Sequence, residues 1–286
     1  MSARKVLLVI HPTKPEAALF AAELATALGG AGFEVLSNYS KSLGGVRTLS
    51  AGEDLSGCEI AVVLGGDGTI LLAAEIVRGH KSPVLGINMG NVGFLAEIGR
   101  PKVAAIVESL LSESYRGESR LVLKHSVERN GITVAEGWAL NEVTVSRNDS
   151  QMVELFVQID GRPLSRWGCD GVIAATPTGS TAYAFSAGGP VVWPEVHAII
   201  FLPLAAHALF SRPMVISPDS TIAIDLESDG AILSSDGMRT LDLLQGDRVT
   251  IGKDGHSIEL VHMDESGFTD RIVAKFKLPI EGWRGE

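Results

Sequence analysis

The sequence predicts an α/β N-terminal domain built on a parallel, doubly wound sheet, followed by an all-β sandwich. Three observations predict it. Up to residue 111, short apolar runs alternate with helix-like segments, the βαβα rhythm of an open parallel sheet. Beyond residues 115–119 the helices stop and strand-like segments follow one another between turn residues, which is sandwich spacing. Residues 63–69 read V-L-G-G-D-G-T, an apolar strand running into a glycine turn that holds one aspartate.

Taken in order, residues 6–10 read as a strand and 15–28 as an alanine-rich helix stopped by Gly29-Gly30. A short strand is expected at 33–36, a buried strand at 60–64, a helix at 70–78 and a strand at 84–87. A glycine loop at 89–94 and a helix at 101–111 complete the first half. Strands at 121–129 and 132–136 flank Asn130-Gly131, a hairpin signal because both residues tolerate positive φ. A strand at 153–159 precedes a second such signal, Asp160-Gly161. Further strands are expected at 171–176, 221–226, 231–234, 240–243, 248–251 and 258–262. The domain boundaries are therefore set at 1–118 and 119–266, and the tail can return to the first domain through residues 271–278.

Composition narrows the function classes. A chain of 286 residues, 45% hydrophobic and 20% charged, supports a full core and excludes disorder. Its net charge of −10 argues against a nucleic-acid partner, which requires a basic face. Only Cys58 and Cys169 are present, so a reducing compartment is expected. Residues 1–5 run into a strand without a signal peptide, and the longest apolar stretch, 198–210, is too short for a bilayer and contains Pro203 and His207. A soluble cytoplasmic protein without a membrane partner follows.

Three segments carry the chemistry. In the turn Gly65, Gly66, Asp67, Gly68, Thr69, bare N–H groups at a helix N-terminus attract an anion. The plain alternative is a tight strand–helix turn with Asp67 as its N-cap. A carboxylate beside a phosphate repels it unless a cation bridges them or the carboxylate takes up a proton, so Asp67 points to phosphate chemistry as general base or metal partner. A carboxylate is a weak base for a sugar hydroxyl, so it would act by orientation or by holding Mg²⁺. The second segment, residues 168–190, is dense in small hydroxyl residues around Gly179, and Tyr183 offers a flat face for a base. Its plain alternative is a serine- and threonine-rich sandwich loop. In the third, Asn141-Glu142, an amide can read the edge of adenine and a carboxylate can accept both hydroxyls of a ribose. A turn or capping role is the plain alternative there. The seven histidines have no H-E-x-x-H or other metal-ligand spacing, and no Walker P-loop is present.

Together, G-G-D-G-T at 65–69, G-N-V-G-F-L at 90–95, L-N-E-V at 140–143 and D-G-V-I-A-A-T-P-T-G-S-T-A-Y at 170–183 resemble the NAD kinase family. The stretches H-A-L-F-S-R-P-M-V at 207–215 and F-T-D-R-I-V-A-K-F-K-L-P at 268–279 resemble its actinobacterial branch. The resemblance implies transfer of a phosphoryl group from ATP or polyphosphate to the 2′-hydroxyl of the adenosine ribose of NAD, with a divalent cation such as Mg²⁺. It also implies an α/β domain plus sandwich, a tail (267–286) packed back on the first domain, and a homodimer or homotetramer. By position, Asp67 matches the family's catalytic aspartate with Gly68 beside it. Asn141 and Glu142 match the pair that holds the adenosine part, and Asp170 the aspartate of the second motif. Thr181, Ala182, Tyr183, Ala184, Phe185 and Ser186 match the stretch lining the dinucleotide, and Phe94 is expected in the same pocket.

Three positions depart from the family pattern. Leu72 and Gly168 stand where many relatives have basic residues, and Met238 stands where glutamine is frequent. The alternatives at this point are a lipid kinase of the diacylglycerol or sphingosine type, a 6-phosphofructokinase-like sugar kinase, and a non-catalytic dinucleotide sensor.

Overall fold

The structure, a computed structural model, describes residues 4–39, 43–50, 52–90, 92–263 and 265–280. Residues 1–3 of the N-terminal segment, Asn91 of the glycine loop and 281–286 of the tail lie outside them. The chain divides into two compact units, Met1–Ser119 with Ile258–Glu286, and Arg120–Ser257.

The first unit begins with β1 (Lys5–Ile10), α1 (Pro15–Gly30), β2 (Glu34–Ser37), β3 (Arg47–Thr48) and β4 (Cys58–Gly65). It continues with α2 (Asp67–Val77), β5 (Val84–Asn88), α3 (Val103–Ser112) and β6 (Arg116–Arg120). Strands β1 and β4 read as unbroken apolar runs because helices cover both faces of a parallel sheet. On one face, Ala17, Ala21, Leu24 and Leu28 of α1 recur at helical spacing and pack with Ile106 and Leu110 of α3 against Val6, Leu8, Ile60 and Val62. Helix α2 packs against β4 and β5. Proline at the first position of α1 starts that helix without needing an N–H partner.

The second unit contains β7 (Leu123–Arg129), β8 (Ile132–Ala139), β9 (Glu142–Arg147), β10 (Val153–Ile159), β11 (Arg162–Cys169) and β12 (Gly171–Ala175). After a 3-10 turn at Thr178–Thr181 and α4 (Tyr183–Ser186) come β13 (Ile199–Leu204), β14 (Met214–Ile216), β15 (Ile222–Leu226), β16 (Ala231–Ser235), β17 (Arg239–Leu243) and β18 (Arg248–Lys253). They form two six-stranded sheets, β11-β10-β15-β18-β7-β8 and β14-β13-β12-β9-β16-β17. Inward residues of both, among them Val127, Leu155, Trp167, Phe201, Leu233 and Val249, share one core. Strand β12 is buried on both faces. Val172 and Ala174 face that core, while Ile173 and Ala175 meet Ala184, Val192 and Ile200 in a smaller cluster.

The chain then returns through β19 (Ile258–His262) and α5 (Phe268–Phe276). The sequence placed 258–262 in the sandwich. Instead β19 lies in the first sheet, whose order is β3-β2-β1-β4-β5-β19-β6, with Leu260 and Val261 paired parallel to Val84 and Leu85. An apolar pentamer has the same pattern in either sheet, and only its remote partner decides between them.

Candidate functional site

In the first unit, β4 ends at Gly65 and α2 starts at Asp67, three residues before the helix expected at 70. Gly66 is the N-cap, with no side-chain capping bond. Asp67 is therefore the first helical residue, and the reading of it as an N-cap does not hold. Thr69 N–H turns back onto Gly66 O at 2.9 Å, while the N–H groups ahead of it in the first turn have no partner within the helix, and their dipoles favour an anion. Gly66 and Gly68 border open space, so backbone is presented there without steric cover. Gly65 is different: a side chain there would collide with the buried Thr69, whose side chain packs over it.

The Asp67 carboxylate accepts the backbone N–H of Phe94 at 3.0 Å (Oδ2) and of Leu95 at 3.1 Å (Oδ1). A Cβ on Gly93 would run into that carboxylate, so only glycine lets the loop approach it. The Phe94 ring, expected in the pocket, is only 5% exposed and packs on Phe268 and Phe276 at 5.9 Å each. Its backbone, not its ring, meets Asp67. The loop is held elsewhere too. Lys14 Nζ donates to Met89 O at 3.2 Å, Lys275 Nζ to Val92 O at 2.8 Å, and Arg271 to Ala96 O. Sequence reasoning missed Lys14. A lone lysine after Pro12-Thr13 gives no signal until its loop is seen beside the glycine turn.

In the second unit, Asn141 and Glu142 meet the hydroxyl-rich segment directly. Thr176 donates its N–H to Asn141 O (2.8 Å) and its hydroxyl to Leu140 O (2.6 Å). A side chain at Gly179 would strike the Asn141 carbonyl, which explains the glycine. Asp236, at the β16–β17 turn, accepts N–H bonds from Leu140 (3.0 Å), Asn141 (2.7 Å) and Glu142 (3.3 Å), and pairs with Arg239 at 2.8 Å. Sequence analysis did not single out Asp236, because the backbone groups it holds lie more than ninety residues earlier.

Burial pushes the Glu142 carboxyl up to about 7. The nearby Asp236 carboxylate adds to this, and the Tyr183 N–H opposes it. Glu142 Oε2 is buried without a partner among the described residues. An acceptor left in that state costs free energy unless a ligand hydroxyl reaches it.

The remaining sequence-derived residues separate. Ser180 is fully buried and bonds both backbone groups of Val192, so it anchors the loop. Ala184 is fully buried in the smaller core, so its side chain does not face solvent. Thr181 and Ala182 are half-buried, and Tyr183, Phe185 and Ser186 are exposed. Asp170 is not with this group. It pairs with Arg147 at 3.0 Å, at the far end of β12 from Thr176. At about 3.3 Å per residue, that strand separates them by roughly 16–20 Å.

Comparison with known proteins agrees with these motifs. Residues 6–115 match the family model for the ATP-NAD kinase N-terminal domain, and residues 140–263 that for the C-terminal domain. An NAD kinase 2 from Streptomyces avermitilis is 44% identical, over 99% of this chain and 97% of its own length. An NAD kinase from Mycobacterium bovis is 44% identical over 99% of both. A crystal structure of yeast NADH kinase complexed with NADH superposes with a TM-score of 0.89 at 26% identity, covering 99% of this chain and 90% of that one. An Archaeoglobus fulgidus NAD kinase in complex with ATP gives 0.69 at 26% identity, covering 96% and 99%. With both domains matched in order and full-length relatives at this identity, the chain belongs to the NAD kinase family.

Proposed function

We propose that this protein transfers the terminal phosphoryl group of ATP to the 2′-hydroxyl of the adenosine ribose of NAD, forming NADP. The observation that carries the reading is the Asp67 carboxylate, fixed by two backbone amides at the head of α2 with Gly66 and Gly68 on either side. In this reading Asp67 aims the 2′-hydroxyl at the phosphorus and takes its proton as the new P–O bond forms. The backbone donors of the glycine turn offset charge on the transferring group.

The divalent cation fits as a companion of the donor's phosphates. Asp67 offers one carboxylate, whose oxygens can accept more than their single N–H bond each. Among the described residues no cluster of three or more acidic, histidine or cysteine side chains forms a cage of its own. Bound there, the cation would supply charge neutralisation.

The sandwich is assigned the dinucleotide, through Asn141, Glu142 and the 181–186 segment. Exposed Leu209, Phe210 and Val215 around edge strand β14 favour a homo-oligomer, and the two buried free thiols favour a reducing cytoplasm. Asp170, at the other end of β12, then contributes to a dinucleotide site only if a second subunit brings one to it.

The direct test incubates the protein with NAD, ATP and Mg²⁺ and detects NADP with an NADP-specific dehydrogenase. A parallel reaction with polyphosphate identifies the donor. No NADP from either donor would overturn the proposal, and NADP from polyphosphate alone would overturn ATP as the donor. Glu142 gives a second expectation. Ionised, it accepts ribose hydroxyls. With its carboxyl held at about 7, protonation at lower pH weakens that grip. The NAD KM should rise several-fold, up to about tenfold, as pH falls from 8 to 6. In Glu142→Gln it should be high and flat, and the same pH slope in that variant would remove Glu142 from the account.

A further inference from the structure

We infer that Lys14 is a phosphate-binding residue for the donor, a role that rests on the phosphotransfer reading and extends it. The sheet order β3-β2-β1-β4-β5 means that the chain leaves β1 to one side and comes back to β4 on the other. The loops after β1 and β4 therefore diverge, and ligands of such sheets sit in the crevice this opens beyond the strands' carboxyl ends. One wall of that crevice is the glycine turn after β4. The other is the segment after β1, where His11 N makes its last bond to Leu64 O at 3.0 Å before Lys14 leads into α1.

The Lys14 side chain reaches from the segment after β1 to the loop after β5. It starts on the β1 side of β4 and ends at Met89 O, just past β5 on the other side. The end of β4, where the glycine turn begins, lies between those two strands in the sheet. Met89 is tied to that same point, since its N–H donates to Gly65 O at 3.2 Å. The ammonium also fits closely: a Cβ on Gly90 would lie 2.8 Å from Nζ, so the glycine there leaves it room.

The chemistry of the contact matters as much as its position. Lys14 is half-buried, and its bond is to one neutral carbonyl. Among the described residues no carboxylate lies within salt-bridge distance of it. An ammonium has three donors, so most of its capacity and all of its charge remain available. In a chain of net charge −10, a cation held without a counter-ion beside a turn of bare N–H groups is suited to a polyanion. The ligand class is a condensed phosphate, whether the tail of a nucleoside triphosphate or an inorganic chain.

The test titrates the full-length protein with inorganic tripolyphosphate in a calorimeter, as wild type, Lys14→Met and Lys14→Arg, and measures donor and NAD KM for each. Loss of one charge-assisted contact should weaken tripolyphosphate binding and raise the donor KM by about 10–100-fold in Lys14→Met. The NAD KM should stay within about twofold, and Lys14→Arg should recover most of the affinity, because phosphate accepts either cation. Equal losses toward donor and NAD, or unchanged tripolyphosphate affinity in Lys14→Met, would overturn the inference. The two readings fail separately. A wild type that makes no NADP but binds tripolyphosphate through Lys14 sinks the reaction alone. A wild type that makes NADP while Lys14→Met behaves identically sinks the lysine alone.

Discussion

Asp67→Asn is expected to lower kcat by at least about 10²-fold while NAD affinity stays within about threefold. The two numbers separate chemistry from architecture, because the carboxylate does two jobs. It would receive the proton of the attacking hydroxyl, and it accepts the N–H groups of Phe94 and Leu95. Asparagine removes the first function entirely. It keeps one acceptor oxygen for the second, while its amide nitrogen faces the other N–H donor. The structural penalty is that of one mispaired polar contact, about 1–3 kcal/mol. A folded variant with a modestly lower melting temperature, NAD binding by calorimetry near wild type and almost no turnover is the expected result. Turnover within tenfold of wild type would take Asp67 out of the mechanism. If NAD affinity collapsed along with kcat, the residue would be holding the loop and nothing more.

The glycine turn could be read from the sequence because a strand, three glycines and one carboxylate are contiguous there. What holds the carboxylate could not. Phe94 and Leu95 donate backbone N–H groups, and any residue type supplies those, so only the Gly93 requirement left a mark in the sequence. The same holds in the sandwich. Asn141-Glu142 looked like a turn, yet Glu142 opens β9, and Asp236 organises the pair from the end of the neighbouring strand β16. Glu142 stood out by residue type, but its raised pKa comes from burial and from Asp236, neither of which is local in sequence.

Strands show the same limit. Alternation along β10 and the Asn-Gly and Asp-Gly hairpins were legible, since one buried face imposes period two. Strand β6, R-G-E-S-R, has no apolar period and is set by its place in the sheet. The polar start of β11, with proline and two arginines, belongs to an edge strand of its sheet, where exposed positions accept such residues.

Replacement of Arg271 by methionine is expected to cost about 2–4 kcal/mol, because it leaves the Ala96 carbonyl and a His262 ring nitrogen without their buried donor, and so to lower the melting temperature by about 8 °C. Arg271 is 3% exposed on α5, and its guanidinium donates to Ala96 O and to His262 Nδ1, the latter at 3.0 Å. His262 lies 3.3 Å from Glu97 and 3.4 Å from Glu118. Glu97 is 2% exposed and also accepts the Met263 N–H at 3.0 Å. Methionine fills most of the volume but donates no hydrogen bond to the Ala96 carbonyl or the His262 ring, so the loss is of buried hydrogen bonds and not a cavity effect. His262 decides how that loss varies with pH. Burial alone would lower its pKa, but the Glu118 and Glu97 carboxylates beside it outweigh burial and the Arg271 charge, and the net shift is upward. A raised histidine pKa gives stability that is full below the unfolded value near 6.5 and fades as pH rises through the folded value. Without Arg271 the repulsion on His262 is gone and its Nδ1 no longer has to accept, so His262 can take up a proton toward Glu97 at pH 6 but less so at pH 8. Scanning calorimetry should therefore show a larger deficit at pH 8 than at pH 6. Equal deficits would mean that His262 does not compensate, and a loss under about 2 °C at both would mean that the buried cation is not what secures α5 to the Ala96 end of the loop.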